Sequence, residues 1–146
     1  MMHLKLQIKF KKLCPNAVVP YQATPGSAGF DLTAISVHEV SGNVWKYHTG
    51  IAVEIPEGYV GLVFPRSSIY KAGMRLTNSV GVIDSDYRGE ITAVFDRTPR
   101  NNERPYSIGD RICQLVIIPI PKVEFFEVAE LTPTERGLGG YGSTGR

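Results

Sequence analysis

Between residues 81 and 90 the chain reads GVIDSDYRGE, which sets Asp84 and Asp86 with one residue between them and follows them with an aromatic, a cation and a glycine. Strand-like sequence flanks the segment, LTNSVGVI before and ITAVF after. A turn between strands uses an aspartate to bond its own backbone, which leaves the second carboxylate for chemistry. Both fall on the same strand parity, so alternation does not separate them. Position does. Asp84 directly follows Val80-Gly81-Val82-Ile83, whereas Asp86 lies inside the turn. Groups that do chemistry are better held by rigid elements than by loop tips, so Asp84 is the candidate.

Four further segments carry polar groups that face either a ligand or plain solvent. PRSSIYKAG, residues 65–73, puts Arg66, Ser67 and Ser68 where a strand breaks into a short helical turn. There a guanidinium and two hydroxyls converge on an anion, or Ser67 or Ser68 simply caps the turn beside a surface arginine. GDRICQLVI, residues 109–117, carries Gln114 near the head of a strand. PGSAGFDLTA, residues 25–34, carries Asp31 between Phe30 and Leu32, so its carboxylate leaves the sheet on the face opposite those apolar neighbours. The chain ends in RGLGGYGSTGR, residues 136–146, which combines Arg136, several glycines, Tyr141, Ser143 and Thr144. Glycines let backbone N–H groups approach an anion closely. No helix follows this run, so a Walker or Rossmann phosphate loop is disfavoured. A frayed terminus and a mobile lid, with Tyr141 stacking on a flat ring, remain open.

The elements that must position these groups are strands. Leu4, Leu6, Ile8 and Phe10 alternate with polar residues, as do Ile51, Val53 and Ile55. Pro56-Glu57-Gly58 then turns into the run Tyr59–Phe64. ICQLVIIPI and KVEFFEVAEL predict two more strands, and only SSIYKAG looks helical, with Gly73 as its stop. The expectation is an all-β, jelly-roll-like sandwich or barrel with one short helix and a flexible glycine-rich C-terminal lid. The domain spans 1–135 and the lid 136–146.

At 146 residues the chain is one domain by length. A net charge of +2, from 16 basic and 14 acidic residues, is too balanced for a nucleic-acid or membrane-surface binder. The N-terminus MMHLKLQIKFKK lacks the apolar core of a signal peptide, and no apolar run is long enough to span a membrane. Cys14 and Cys113 lie far apart and predict reduced, buried thiols in the cytoplasm. His3, His38 and His48 have no metal-binding spacing.

Taken in order, AGFDL, PRSS, GVIDSDYRGE, GDRICQL and RGLGGYGSTG resemble the five motifs of the trimeric deoxyuridine triphosphatases (dUTPases), from about residue 26 to the C-terminus. The resemblance implies a jelly-roll homotrimer that hydrolyses dUTP to dUMP and pyrophosphate with Mg²⁺, each site being assembled from three chains. It implies that Asp84 deprotonates the water attacking the α-phosphorus, and that Arg66, Ser67, Ser68 and Gln114 hold the phosphates. Asn78 and the backbone of Val82 and Ile83 would read the uracil edge, with Tyr87 beneath the deoxyribose, excluding a ribose 2′-hydroxyl. Arg136, Ser143 and Thr144 would meet the γ-phosphate, Tyr141 and Gly142 would cover the base, and Asp31 would join the metal through water. Some positions depart from the usual pattern: Tyr141 replaces a phenylalanine, Ser68 a glycine, Ile69-Tyr70 a leucine-alanine pair and Cys113 an alanine. Two other readings stand beside this one. A dCTP deaminase would share the fold, although such enzymes are usually longer and lack this lid. A nucleotide-dependent trimer that binds a protein partner would need an inserted segment, for which the arginine-rich loop 96–105, otherwise a solvated loop, is the candidate.

Overall fold

A computed structural model describes residues 4–97 and 105–145. His3 and residues 98–104 of the arginine-rich loop lie outside the described residues. The chain folds into two antiparallel sheets packed face to face. In the first, β1 (Lys9–Lys12), β4 (Val44–Glu54), β8 (Glu90–Arg97) and β6 (Met74–Leu76) lie side by side, and β3 (Ser36–Ser41) pairs with the first half of β4. In the second the order is β2 (Phe30–Thr33), β9 (Arg111–Pro119), β5 (Tyr59–Pro65) and β7 (Gly81–Ile83). This is the all-β, jelly-roll-like sandwich that the alternation predicts.

The inward residues of both sheets form one core, in which Leu32, Ile51, Ile91, Phe95 and Ile112 are essentially removed from water. The Phe95 ring meets those of Tyr47 and Tyr106 edge to face, at centroid distances of 5.5 and 5.6 Å. β4 is buried continuously from Thr49 to Val53, because a bulge between His48 and Ala52 turns successive side chains inward. Gly50 sits in that bulge with φ 67°, and a Cβ there would come 2.6 Å from Ile35 Cδ1 and 2.8 Å from Cys14 Sγ. Only glycine fits.

Four local expectations are corrected. SSIYKAG forms a 3-10 helix, Ser67–Lys71, but its N-cap is Arg66 and no side chain caps it, so Ser67 and Ser68 have no capping role. KVEFFEVAEL forms no strand: after Ile120 N–H bonds the Gly58 carbonyl, the chain leaves the sheet with Phe125 and Phe126 exposed. Period-2 alternation reports a surface seeking cover, and within one chain these residues have none. Cys14 is half-exposed rather than buried, while Cys113 is buried, and both are free. At the N-terminal end only Lys9–Lys12 is strand, although Leu6, Ile8 and Phe10 do share one face, lining an apolar groove with Val53 and Ile117.

Candidate functional site

β7 is the edge strand of its sheet: it pairs with β5 on one side, and among the described residues its other edge has no strand partner. A pocket of about 220 Å³ opens along it, lined by Asn78, Val82, Ile83, Asp84, Tyr87 and Glu90 among others. Five of the sequence-predicted residues therefore meet in one place. The volume is below the ~300–1,000 Å³ of sites that enclose a drug-sized ligand.

The two aspartates of the turn part company here. Asp84 lines this pocket as the first residue after β7, and its carbonyl accepts the Tyr87 N–H at 3.1 Å, closing a turn over Ser85 and Asp86. Asp86 faces a different groove, with Glu54 and Arg88. Lys9, and less strongly Arg88, holds the Glu54 carboxyl below its usual range. Tyr87 folds back on itself, its hydroxyl donating to the Glu90 carbonyl at 2.8 Å. A Cβ on Gly89 would collide with that hydroxyl, so the ring lies where only glycine lets it.

A second cluster forms where β5, β2 and β9 come together. Asp31 is 12% exposed at its side chain and sits between two guanidiniums, with Arg66 Nε 3.3 Å from Oδ1 and Arg111 Nη1 3.1 Å from Oδ2. Arg111 also stacks over the Tyr21 ring. Gln114 is the cross-strand partner of Asp31, and its amide N–H donates to the Pro65 carbonyl at 3.1 Å. Two cations against one carboxylate leave a net positive charge, and Ser67 and Ser68 follow Arg66 directly in the chain. Such a cluster attracts anions. Beneath it Cys113 has its thiol pushed up to about 12, by burial first and then by the Asp31 charge. Burial likewise raises Tyr106, against the opposing Arg66 charge and a weak contact with the Ser68 side chain, and its hydroxyl makes no hydrogen bond of good geometry among the described residues.

These two clusters do not meet within one chain. Ile83 pairs with Gly61 and Gly81 with Val63, so Asp84 lies level with the start of β5, while Arg66 follows its end. Six residues of strand at about 3.3 Å each separate them by roughly 20 Å of backbone. The tail is apart from both. Arg136 Nε bonds the Gly139 carbonyl at 2.9 Å, Tyr141 is fully exposed with φ 49°, and Gly142, Ser143 and Thr144 are exposed as well. None of the five lines the β7 pocket of its own chain.

Sequence reasoning passed over three residues that the fold brings to these places. Arg111 clamps Asp31 across the strand pair. Glu90 lines the pocket. Gly29 lies under the Gln114 side chain, and a Cβ there would come 2.5 Å from Gln114 Oε1. All three sit inside the quoted segments, but only strand register reveals what they touch. Among the described residues, no group of three or more acidic, histidine or cysteine side chains is placed to hold a metal, and no helix is long and apolar enough to cross a membrane.

The jelly-roll-like β-sandwich thus carries a small pocket along an edge strand and a separate cluster of net positive charge. The dUTPase family model matches residues 15–145, and the chain belongs to that family. It is 41% identical to the deoxyuridine 5'-triphosphate nucleotidohydrolase of Hydrogenobaculum sp. over 143 residues, covering 96% of this chain and 99% of that protein. Among solved structures it resembles the dUTPase of Staphylococcus bacteriophage 80alpha with dUpNHpp, at a TM-score of 0.82 and 29% identity, over 97% of this chain and 100% of the other. It also resembles a point mutant of the dUTPase from phage phi11 of S. aureus, in which a structural Mg(II) ion is coordinated (TM-score 0.73, 27% identity, 86% of this chain and 98% of the other).

Proposed function

We propose that this protein hydrolyses dUTP to dUMP and pyrophosphate, at sites that three copies of the chain build together. The observation that carries this is the gathering of Asn78, Val82, Ile83, Asp84 and Tyr87 around one pocket, far along β5 from the Arg66 cluster of the same chain. Uracil lies against the free edge of β7, where Asn78 and the backbone of Val82 and Ile83 read its donors and acceptors. Tyr87 supports the deoxyribose and leaves no room for a 2′-hydroxyl. The α-phosphate then emerges beside Asp84, whose carboxylate takes a proton from the water that attacks phosphorus as pyrophosphate departs. Such cleavage needs little covalent work from a protein. Positioning and charge stabilisation dominate.

A second copy supplies Arg66, Ser67, Ser68 and Gln114 to the phosphates. A third supplies the lid, with Arg136, Ser143 and Thr144 on the γ-phosphate and Tyr141 and Gly142 over the base. A tail that makes its polar contacts within itself and stands clear of its own pocket suits this exchange. So does the apolar arm at 122–131, which finds cover only on a neighbour.

The donor set fits a magnesium ion carried in by substrate. Mg²⁺ prefers phosphate oxygens and water to an all-protein cage, and no such cage exists among the described residues. Asp31, already shared between Arg66 and Arg111, would hold it through water rather than directly. When bound, the ion neutralises phosphate charge and orients the leaving pyrophosphate. Two free cysteines suit a reducing compartment, and we place the protein in the cytoplasm.

The test is pyrophosphate release from dUTP, dTTP, dCTP and UTP in the presence of Mg²⁺, with Asp84→Asn alongside. Strong preference for dUTP is expected, with the variant still binding a non-hydrolysable dUTP analogue. Ammonia release from dCTP, or normal turnover by Asp84→Asn, would overturn the reading.

A further inference from the structure

Glu90 begins β8 on the wall of the nucleoside pocket, and every acceptor it owns is engaged. One carboxylate oxygen lies 2.7 Å from His48 Nδ1, the other accepts the Gly50 N–H at 2.8 Å, and its carbonyl accepts the Tyr87 hydroxyl at 2.8 Å. The Gly50 N–H is available because the β4 bulge takes that residue out of the ladder with β8. Gly50 cannot relax away, since Ile35, Cys14 and Ala17 close in where a side chain would begin. His48 is held in turn: its Nε2 lies 3.2 Å from His38 Nδ1, and the two rings stack with centroids 5.2 Å apart. Both the His48 and Glu90 side chains are one-quarter exposed, so water competes only in part for their contact.

We infer that the His48–Glu90 pair is the positioning element that sets the height of the Tyr87 ring, and with it the discrimination between deoxyribose and ribose triphosphates. This rests on the reading of Tyr87 given above and extends it to residues that touch no nucleotide. The path is short. The pair and the bulge fix Glu90, Glu90 fixes the carbonyl on which the Tyr87 hydroxyl rests, and the Asp84–Tyr87 turn fixes the other end of the residue. With the pair broken, the Glu90 backbone gains freedom, the ring drops, and a 2′-hydroxyl finds space.

The experiment compares kcat and KM for dUTP and UTP in His48→Ala, His48→Gln, Tyr87→Phe and Tyr87→Ala, with thermal melts of each. His48→Ala is expected to lower the dUTP/UTP ratio of kcat/KM about tenfold, the effect of one well-placed hydrogen bond. The change should come from UTP, while kcat for dUTP stays within about threefold. His48→Gln keeps a side-chain donor for Glu90 and should restore most of the ratio. Tyr87→Phe, which leaves the pair intact and folds in any event, should reproduce the His48→Ala loss. Equal losses on both substrates in His48→Ala, or an unchanged ratio in Tyr87→Phe, would overturn the inference. Tyr87→Ala separates it from its foundation: if that variant still rejects UTP, the reading of Tyr87 itself fails. If it accepts UTP while His48→Ala does not, the His48–Glu90 role alone is wrong.

Discussion

Chains that are each inactive should repair one another if copies share a site. On the function proposed above, Asp84→Asn removes the proton acceptor and Arg66→Ala removes a guanidinium that meets the phosphates. Either alone is expected to lower kcat/KM by about 10²- to 10⁴-fold, the range for a positioned base or a charge-stabilising donor. On one chain these groups are separated by roughly 20 Å of β5, so a site that uses both would take Asp84 from one copy and Arg66 from another. When equal amounts of the two variants are unfolded and refolded together, half of the chains offered at each position are intact there. About one quarter of the sites in a closed symmetric trimer then contain both groups. Pyrophosphate release from the co-refolded mixture should therefore reach about a quarter of the wild-type rate, about 10 to 10³ times the sum of the parents. A mixture of separately refolded variants, checked by native mass spectrometry for the absence of subunit exchange, should stay inactive. A co-refolded mixture no more active than its parents would refute the separation argument and return both groups to a single chain.

Deleting residues 136–146 should leave the melting temperature within about 2 °C, since the tail adds little to the core, yet cut dUTP turnover by at least about 10²-fold; normal turnover would remove the lid. Gly29→Ala pushes a methyl group toward Gln114 Oε1, 2.5 Å from the Cβ position, and should raise KM about tenfold with a native circular dichroism spectrum. The Cys113 thiol, pushed from 9.0 to about 12, keeps its proton in the folded state after the unfolded chain has released it. The unfolded state then binds fewer protons, so stability falls as pH rises from about 9 toward 12, by up to about 1.4 kcal/mol per unit. Tyr47 and Tyr106, also raised by burial, add to the fall in the same sense. Urea midpoints measured at pH 8 and pH 10.5 should show a smaller drop in Cys113→Ala, and that thiol should resist iodoacetamide until the protein unfolds.

The apolar runs at 51–55, 59–64 and 112–120 are enough to find the end of β4 and then β5 and β9, because strands packed on a core are rich in such residues. A similar apolar run misleads at 122–131, where nothing among the described residues covers the side chains. Choosing Asp84 over Asp86 needs only their distance from the end of a strand, and the two do face different grooves. The contacts of Asp31 are out of reach of such reasoning. Its arginine partners lie 35 and 80 positions away in sequence, and only the β2–β9 register and the exit of β5 bring them to it. Glu90 escapes notice for a related reason. Its hold depends on a bulge in a different strand, and a bulge leaves no mark in hydrophobic pattern beyond an isolated glycine.

The bare aromatic arm has a consequence for how the molecule is handled at the bench. Phe125, Phe126 and Leu131 meet water along most of their surface in the lone chain, so folding and association draw on the same reservoir of hydrophobic stabilisation. Heat resistance should then climb with the amount of protein in the tube. Stocks taken to very low concentration should fade in activity over minutes and regain it when concentrated, as a single-subunit catalyst would not.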